Sequence, residues 1–258
     1  MAHEDKIGTT DDVRDEKKND VVSSLFALQQ SPVDEELLVE MAKAGVIYGH
    51  KKSRKNPKFG DYVFSTRNGI ELLDITKTLH AIEIVAQFLK KNKAEGKKIL
   101  LVGTQAAARE GIEKLSASLG NCPFVVDKWI GGLITNFSVL SKRLEYFKRQ
   151  RKGLAEGAFS KFTKRERLLM EREVSKMENK FKGLEDFAGV PDIMFLIDSS
   201  IKGHTTALRE AQIKKVQLVG IIDNDDDPRE FSYFVPANDH SRSSINWVIN
   251  RMIEELNK

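Results

Sequence analysis

Lys51, Lys52, Arg54, Lys55 and Lys58 stand within eight consecutive residues with no acid among them, and Arg67 follows. Cations at that density neutralise phosphate oxygens and release the counterions condensed on a polyanion, so the chemistry they suit is binding. Asn56-Pro57 and Phe59-Gly60 interrupt regular structure, which places the cluster on a turn rather than along a helix. Ser53, Asn56 and Asn68 add short polar side chains to the same stretch. Tyr48, Phe59, Tyr62 and Phe64 flank it with flat faces on which unpaired bases stack. An isolated run of charge is more often a solvated turn. This run is not isolated.

A second basic group comprises Lys142, Arg143, Lys148, Arg149, Arg151, Lys152, Lys164, Arg165 and Arg167. It lies in Lys142 to Lys182, where fourteen Lys or Arg meet six Asp or Glu, an excess of eight. The whole chain carries only +4, so the remainder is net negative. Charge segregated in this way implies a polyanionic partner addressed by particular surfaces.

Other chemistries find less support. Gly103-Thr104-Gln105 sits at a strand end, where α/β folds bind phosphates, but lacks the glycines of a dinucleotide loop and the Lys-Ser/Thr pair of a P-loop. Asp223, Asp225, Asp226 and Asp227 offer oxygen ligands to a hard cation, yet read first as an exposed polar turn before Pro228 that faces away from phosphate. His3, His50, His80, His204 and His240 are too scattered to suggest a metal site, and His50 reads as a brace for the basic turn. Ser199-Ser200 and Thr205-Thr206 near His204 form no recognisable nucleophile and base. Cys122 is the only cysteine, which excludes an internal disulfide and argues for a reducing compartment; beside Pro123 it reads as a buried thiol. No metal or cofactor is expected. Trp129, ahead of Gly131-Gly132, reads as a packing residue, with Asn136 as a helix cap.

The elements that must position these residues follow from periodicity. A chain of 258 residues, 40% hydrophobic and 31% charged, buries a sizeable core. Residues 1–30 read as a disordered arm, and Ser31-Pro32 as a helix start whose inward face is Leu37, Leu38, Met41 and Ala44. Tyr62 to Ser65, Lys98 to Gly103, Pro123 to Val126, Ile193 to Asp198, Leu218 to Asp223 and Phe234-Val235 read as strands. Helices are expected at Thr76 to Lys91, up to Leu119, around Thr206 to Lys215 and from Ser241 to Leu256. Apolar strands alternating with helices predict a three-layer α/β sandwich around a mainly parallel, Rossmann- or flavodoxin-like sheet, in residues 31–136 and 188–258. Residues 137–187 differ. Leu140, Leu144 and Phe147 form one stripe, broken near Gly153 to Gly157; Met170, Val174, Met177, Phe181 and Leu184 form another at coiled-coil spacing. Thr163 with Glu166 is a capping box. The prediction is an inserted antiparallel coiled-coil hairpin with basic outer faces.

The segment AGVIYGHKKSRKNPKFGDYVFSTRNGIELLDITKT also resembles the signature of the family of the universal second protein of the small ribosomal subunit. DKWIGGLITNF (Asp127 to Phe137), VPDIMFLID (Val190 to Asp198), ALREAQ and DNDDDP match in the same order. The resemblance spans Glu40 to about Ile253, with departures at Ile47-Tyr48 and Val216-Gln217. It implies a cytoplasmic, non-catalytic protein, a monomer within the ribosome, that binds small-subunit ribosomal RNA where head and body meet. Neighbouring small-subunit proteins, and the large ribosomal protein that captures messenger RNA, are the further partners it implies. It also implies a helical hairpin hinged on the domain by the Trp129 segment. The rival reading is an α/β enzyme acting on a nucleotide or phosphorylated substrate near Gly103, Thr104 and Asp223.

Overall fold

The computed structural model describes residues 35–157 and 162–258. The arm and the Ser31-Pro32 helix start lie outside these. The first described helix, α1 (Glu35–Ala44), buries Leu38 and Met41 and ends at Gly45, whose φ of 80° favours glycine.

A small antiparallel sheet follows, which the sequence reading missed except for one strand. β1 (Tyr48–Lys51) and β2 (Val63–Arg67) both pair with β3 (Ile70–Leu73). The β2–β3 turn is Asn68-Gly69, with φ of 50° and 76°, the geometry that an Asn-Gly pair adopts at least cost. Asp74 then caps α2 (Ile75–Ala94), its carboxylate accepting from the amides of Thr76 and Lys77.

Five parallel strands form the main sheet in the order β5-β4-β6-β7-β8. They are β4 (Ile99–Val102), β5 (Phe124–Val125), β6 (Ile193–Ile197), β7 (Gln217–Ile222) and β8 (Tyr233–Pro236). β4 and β6 are buried at every position because both faces are covered. Ile99, Leu101, Phe195 and Val219 face a core shared with α1, α2, α3 (Arg109–Ser118) and α7 (Arg242–Asn257). Leu100, Val102, Met194 and Leu218 face a second core. There they meet α6 (Lys202–Ile213), which begins four residues earlier than the sequence suggests. The three-layer α/β expectation holds.

The second core also receives the bases of α4 (Phe137–Ala155) and α5 (Lys164–Phe181). Phe137 meets Phe187 and Phe147 meets Phe181, at centroid distances of 5.2 and 5.9 Å, so the helices run antiparallel. The Thr163–Glu166 capping box is present. α4 continues through Gly153, and the break comes at Gly157 with φ of 70°. Among the described residues, no helix is long and apolar enough to cross a membrane.

Candidate nucleic-acid interface

The first basic segment is a folded shelf. β1 ends at Lys51, Lys52–Arg54 makes one 3-10 turn, and Pro57–Tyr62 makes another. The Asn56 side chain caps the second by accepting from the Lys58 amide at 3.0 Å. Lys52 donates its amide to the Gly69 carbonyl at 3.0 Å, which holds the Asn68-Gly69 tip beside the cations. Phe59 is fully buried against Tyr62 and Phe234. It braces the shelf and is unavailable to stack on a base.

Lys51, Lys52, Ser53, Arg54, Lys58 and Asn68 are exposed, while Lys55, Asn56 and Arg67 are half-buried. Lys51, Lys52 and Arg54 form no ion pair with another described residue. Lys55 is engaged from below, its ammonium 3.2 Å from the buried carboxylate of Glu71. Lys58 lies near enough to Asp227 to help hold that carboxyl below its usual range, after the larger effect of Arg229. Burial raises the Tyr48 phenol, and the Arg67 charge opposes the rise.

Beneath the shelf lies the acidic run, and here an expectation is corrected. Asp223 and Asp226 are buried rather than exposed, because the shelf folds over the carboxyl end of β7. Asn56 donates its amide to the Asn224 carbonyl at 2.7 Å. The Asn224 side chain accepts from the His50 amide and donates to the His50 carbonyl and to Glu71. Gly49 is required there, since a Cβ would stand 2.7 Å from Asn224 Oδ1. His50 bonds Asp223 through Nδ1 at 2.6 Å, and burial-opposing contact with this carboxylate raises its pKa. His240, distant in sequence, meets the His50 ring edge-on at 4.6 Å. Its Nδ1 approaches Asp198 and Asp239 at 3.1 and 3.4 Å. Two of the histidines that look scattered in sequence, His50 and His240, therefore converge with carboxylates, in two sets whose donor types suit a cation.

On the hairpin, Lys142, Arg143, Arg149, Lys164, Arg165 and Arg167 are exposed and form no ion pair with another described residue. Three others are engaged. Arg151 forks onto both oxygens of Glu185 and lies 5.4 Å over the Phe147 ring. The Arg151 bonds hold the Glu185 pKa down. Lys148 donates to the Glu185 carbonyl, and Lys152 makes an exposed pair with Glu156 at 3.7 Å, which contributes little.

The hairpin's root is fixed by a residue that sequence reading overlooked. Glu210 on α6 is 5% exposed and accepts from Trp129 Nε1 at 3.0 Å, the amides of Gly132, Ile134 and Thr135 at 2.8, 3.1 and 3.1 Å, and the Thr135 hydroxyl at 3.0 Å. Burial opposes its charge, yet these bonds outweigh burial and lower the pKa. Trp129 is a packing residue, as expected. Asn136 stands at the N-cap of α4 without a capping bond from its side chain. A lone Glu in an amphipathic helix carries no local signal of such a role.

The Gly103 turn is filled by the chain itself. A Cβ on Gly103 would meet Ala108 and Ile112 at 2.9 Å, and His204 Nε2 takes both the amide and the hydroxyl of Thr104, at 3.2 and 2.9 Å. Those donors are committed within the fold.

The model of the family described as Ribosomal protein S2 matches residues 41–258. The chain is also similar to a protein of Petrotoga mobilis named small ribosomal subunit protein uS2. The two are 32% identical over 217 residues, covering 84% of this chain and 74% of that protein. The chain belongs to the ribosomal protein S2 family, a family of structural ribosomal proteins rather than of enzymes.

Proposed function

We propose that this chain binds small-subunit ribosomal RNA by neutralising phosphates from two surfaces, the shelf at Lys51 to Lys58 and the basic hairpin. The observation that carries the reading is the contrast among the cations. Lys51, Lys52, Arg54, Lys142, Arg143, Arg149, Lys164, Arg165 and Arg167 are exposed without an ion pair to a described residue. Lys55, Arg151 and Lys148 instead brace the surfaces that present them, while Lys152 makes only a weak exposed pair with Glu156. An exposed cation left unpaired keeps its full charge for an external phosphate, and each contact releases counterions. A shelf held by hydrogen bonds to Asn224 and Glu71 loses little conformational freedom on binding. Two such surfaces on one chain bridge RNA elements that one patch could not. Neighbouring small-subunit proteins complete the surroundings, and the cytoplasmic ribosome is the place of work.

Crosslinking within assembled small subunits tests this. Lys52 on the shelf and Lys142 and Lys164 on the hairpin are expected to crosslink to ribosomal RNA. If these lysines instead react freely with an acetylating reagent in intact subunits, the reading fails.

A further inference from the structure

The rings that flank the basic shelf are committed to the fold. Phe59 is buried against Tyr62 and Phe234, while Tyr48 and Phe64 pack on the core shared with α1, α2, α3 and α7. On the hairpin, Phe137 and Phe147 face Phe187 and Phe181. Of the exposed rings, Tyr233 lies 4.7 Å from Phe88, and Phe162 is engaged within the chain. Tyr146, midway along α4, is different. It is 40% exposed and makes no hydrogen bond or ring contact with another described residue. One exposed ring is ordinary by itself. Its neighbours single this one out. Each residue turns about 100° around a helix axis, so Lys142, Arg143 and Arg149 stand within about 60° of Tyr146, one turn before and one turn after. All three cations are exposed and form no ion pair with another described residue. Val139, also exposed, extends the stripe by a further turn. Glu145 is the single acid from Val139 to Gln150, and it lies about 100° away around the axis. Leu140, Leu144 and Phe147 anchor the far side of the helix in the second core.

We infer that Tyr146 is a stacking platform for an unpaired base of small-subunit ribosomal RNA, with Lys142, Arg143 and Arg149 holding the phosphates around that nucleotide. The inference rests on the RNA binding proposed above and adds what charge alone does not specify. The hairpin meets a loop, bulge or other unstacked nucleotide rather than a regular duplex. An A-form helix presents phosphates and sugars and keeps its bases stacked inward, so it engages the cations but not a ring set among them. A splayed base offers a flat face to the ring, and every base has one, so the contact tolerates sequence. One helical turn rises about 5.4 Å, which puts the cations before and after Tyr146 beside the phosphates that flank a stacked nucleotide. A protein neighbour would have to supply a carboxylate for each of three cations around one ring. An RNA strand carries a charge at every nucleotide. The buried side of α4 holds the platform in place before RNA arrives, so little order is lost on contact.

The test uses the full chain and small-subunit ribosomal RNA, with affinity measured over a range of salt. Tyr146→Phe keeps the ring and should bind within about twofold of the parent. Tyr146→Ala and Tyr146→Leu should each weaken binding by about tenfold. Their slopes of log K against log salt should match the parent's, because no phosphate contact is lost. Neither change should lower the unfolding midpoint, since the side chain is exposed and unbonded. Leu retains apolar area without a flat face, so parent-like binding by Tyr146→Leu would overturn the inference. A Tyr146→Phe variant as weak as Tyr146→Ala would also overturn it, by assigning the contact to the hydroxyl. A salt-sensitive parent indifferent to Tyr146→Ala sinks this inference alone. A parent whose RNA binding does not fall with salt sinks the phosphate reading and this inference with it. In assembled subunits, a benzophenone amino acid in place of Tyr146 is expected to crosslink to RNA. Crosslinks to a neighbouring protein alone would contradict the assignment.

Discussion

His50 Nδ1 and Asp223 Oδ2 lie 2.6 Å apart across 173 positions of sequence, joining the root of the basic shelf to the end of a central strand. Beside them, Asn224 bonds both backbone groups of His50 and the carboxylate of Glu71. Asn224→Ala removes these bonds and leaves buried partners unsatisfied, at a cost of about 1–3 kcal/mol. Amide exchange should accelerate first in residues 48–56. Uniform acceleration over the whole sheet, or none, would show that Asn224 does not hold the shelf.

Lys55 and its neighbours separate by role. Replacing Lys51, Lys52 and Arg54 together by Ala should weaken RNA binding while leaving the unfolding midpoint unchanged, since none has an ion pair to a described residue. Adding Lys55→Ala takes the ammonium from buried Glu71 and should cost a further ~1–2 kcal/mol. Denaturant midpoints of the triple and quadruple variants check this; equal values would mean that the Lys55–Glu71 pair is not stabilising.

The hairpin is docked through apolar contact. Phe181→Ala removes the partner of Phe147 and should cost about 3–5 kcal/mol. Gly183→Ala should also destabilise, because its Cβ would come 2.3 Å from the Phe124 carbonyl oxygen on β5. If thermal melting of both variants matched the parent, the base of the hairpin would not be packed as described.

Glu210 gives a pH signature. Its folded pKa lies below the ordinary 4.5, so its stabilisation is fully present above that value and is lost as pH falls through the lower folded pKa. The difference in midpoint between the parent and Glu210→Gln should therefore be large at pH 7 and shrink below about pH 4. A difference independent of pH would assign the effect to packing rather than to the carboxylate.

The central strands were legible because burial on both faces turns β4, β6 and β7 into unbroken apolar runs. The two hairpin stripes were legible because Leu144, Phe147, Val174 and Phe181 keep helical spacing. β1 and β3 were not: each is four residues long, and the Asn68-Gly69 turn signal sat inside a stretch dominated by charge. The acidic cluster was misread as exposed because local polarity does not report a shelf folding back from 174 positions away. His240 and Asp239 lie at the end of the last strand, and only the strand order brings them beside Asp198 and His50. Lys55 and Arg151 look like any other cation in sequence; their acids, Glu71 and Glu185, are chosen by the tertiary fold.

The most direct measurement is the salt dependence of binding to small-subunit ribosomal RNA for the parent and for the variant with Lys51, Lys52 and Arg54 replaced by Ala. Each lost phosphate contact should flatten the slope of log K against log salt by about 0.7–0.9, so the variant's slope should be shallower by about 2–3. Identical slopes would contradict the account, because they would mean that these exposed cations meet no phosphate.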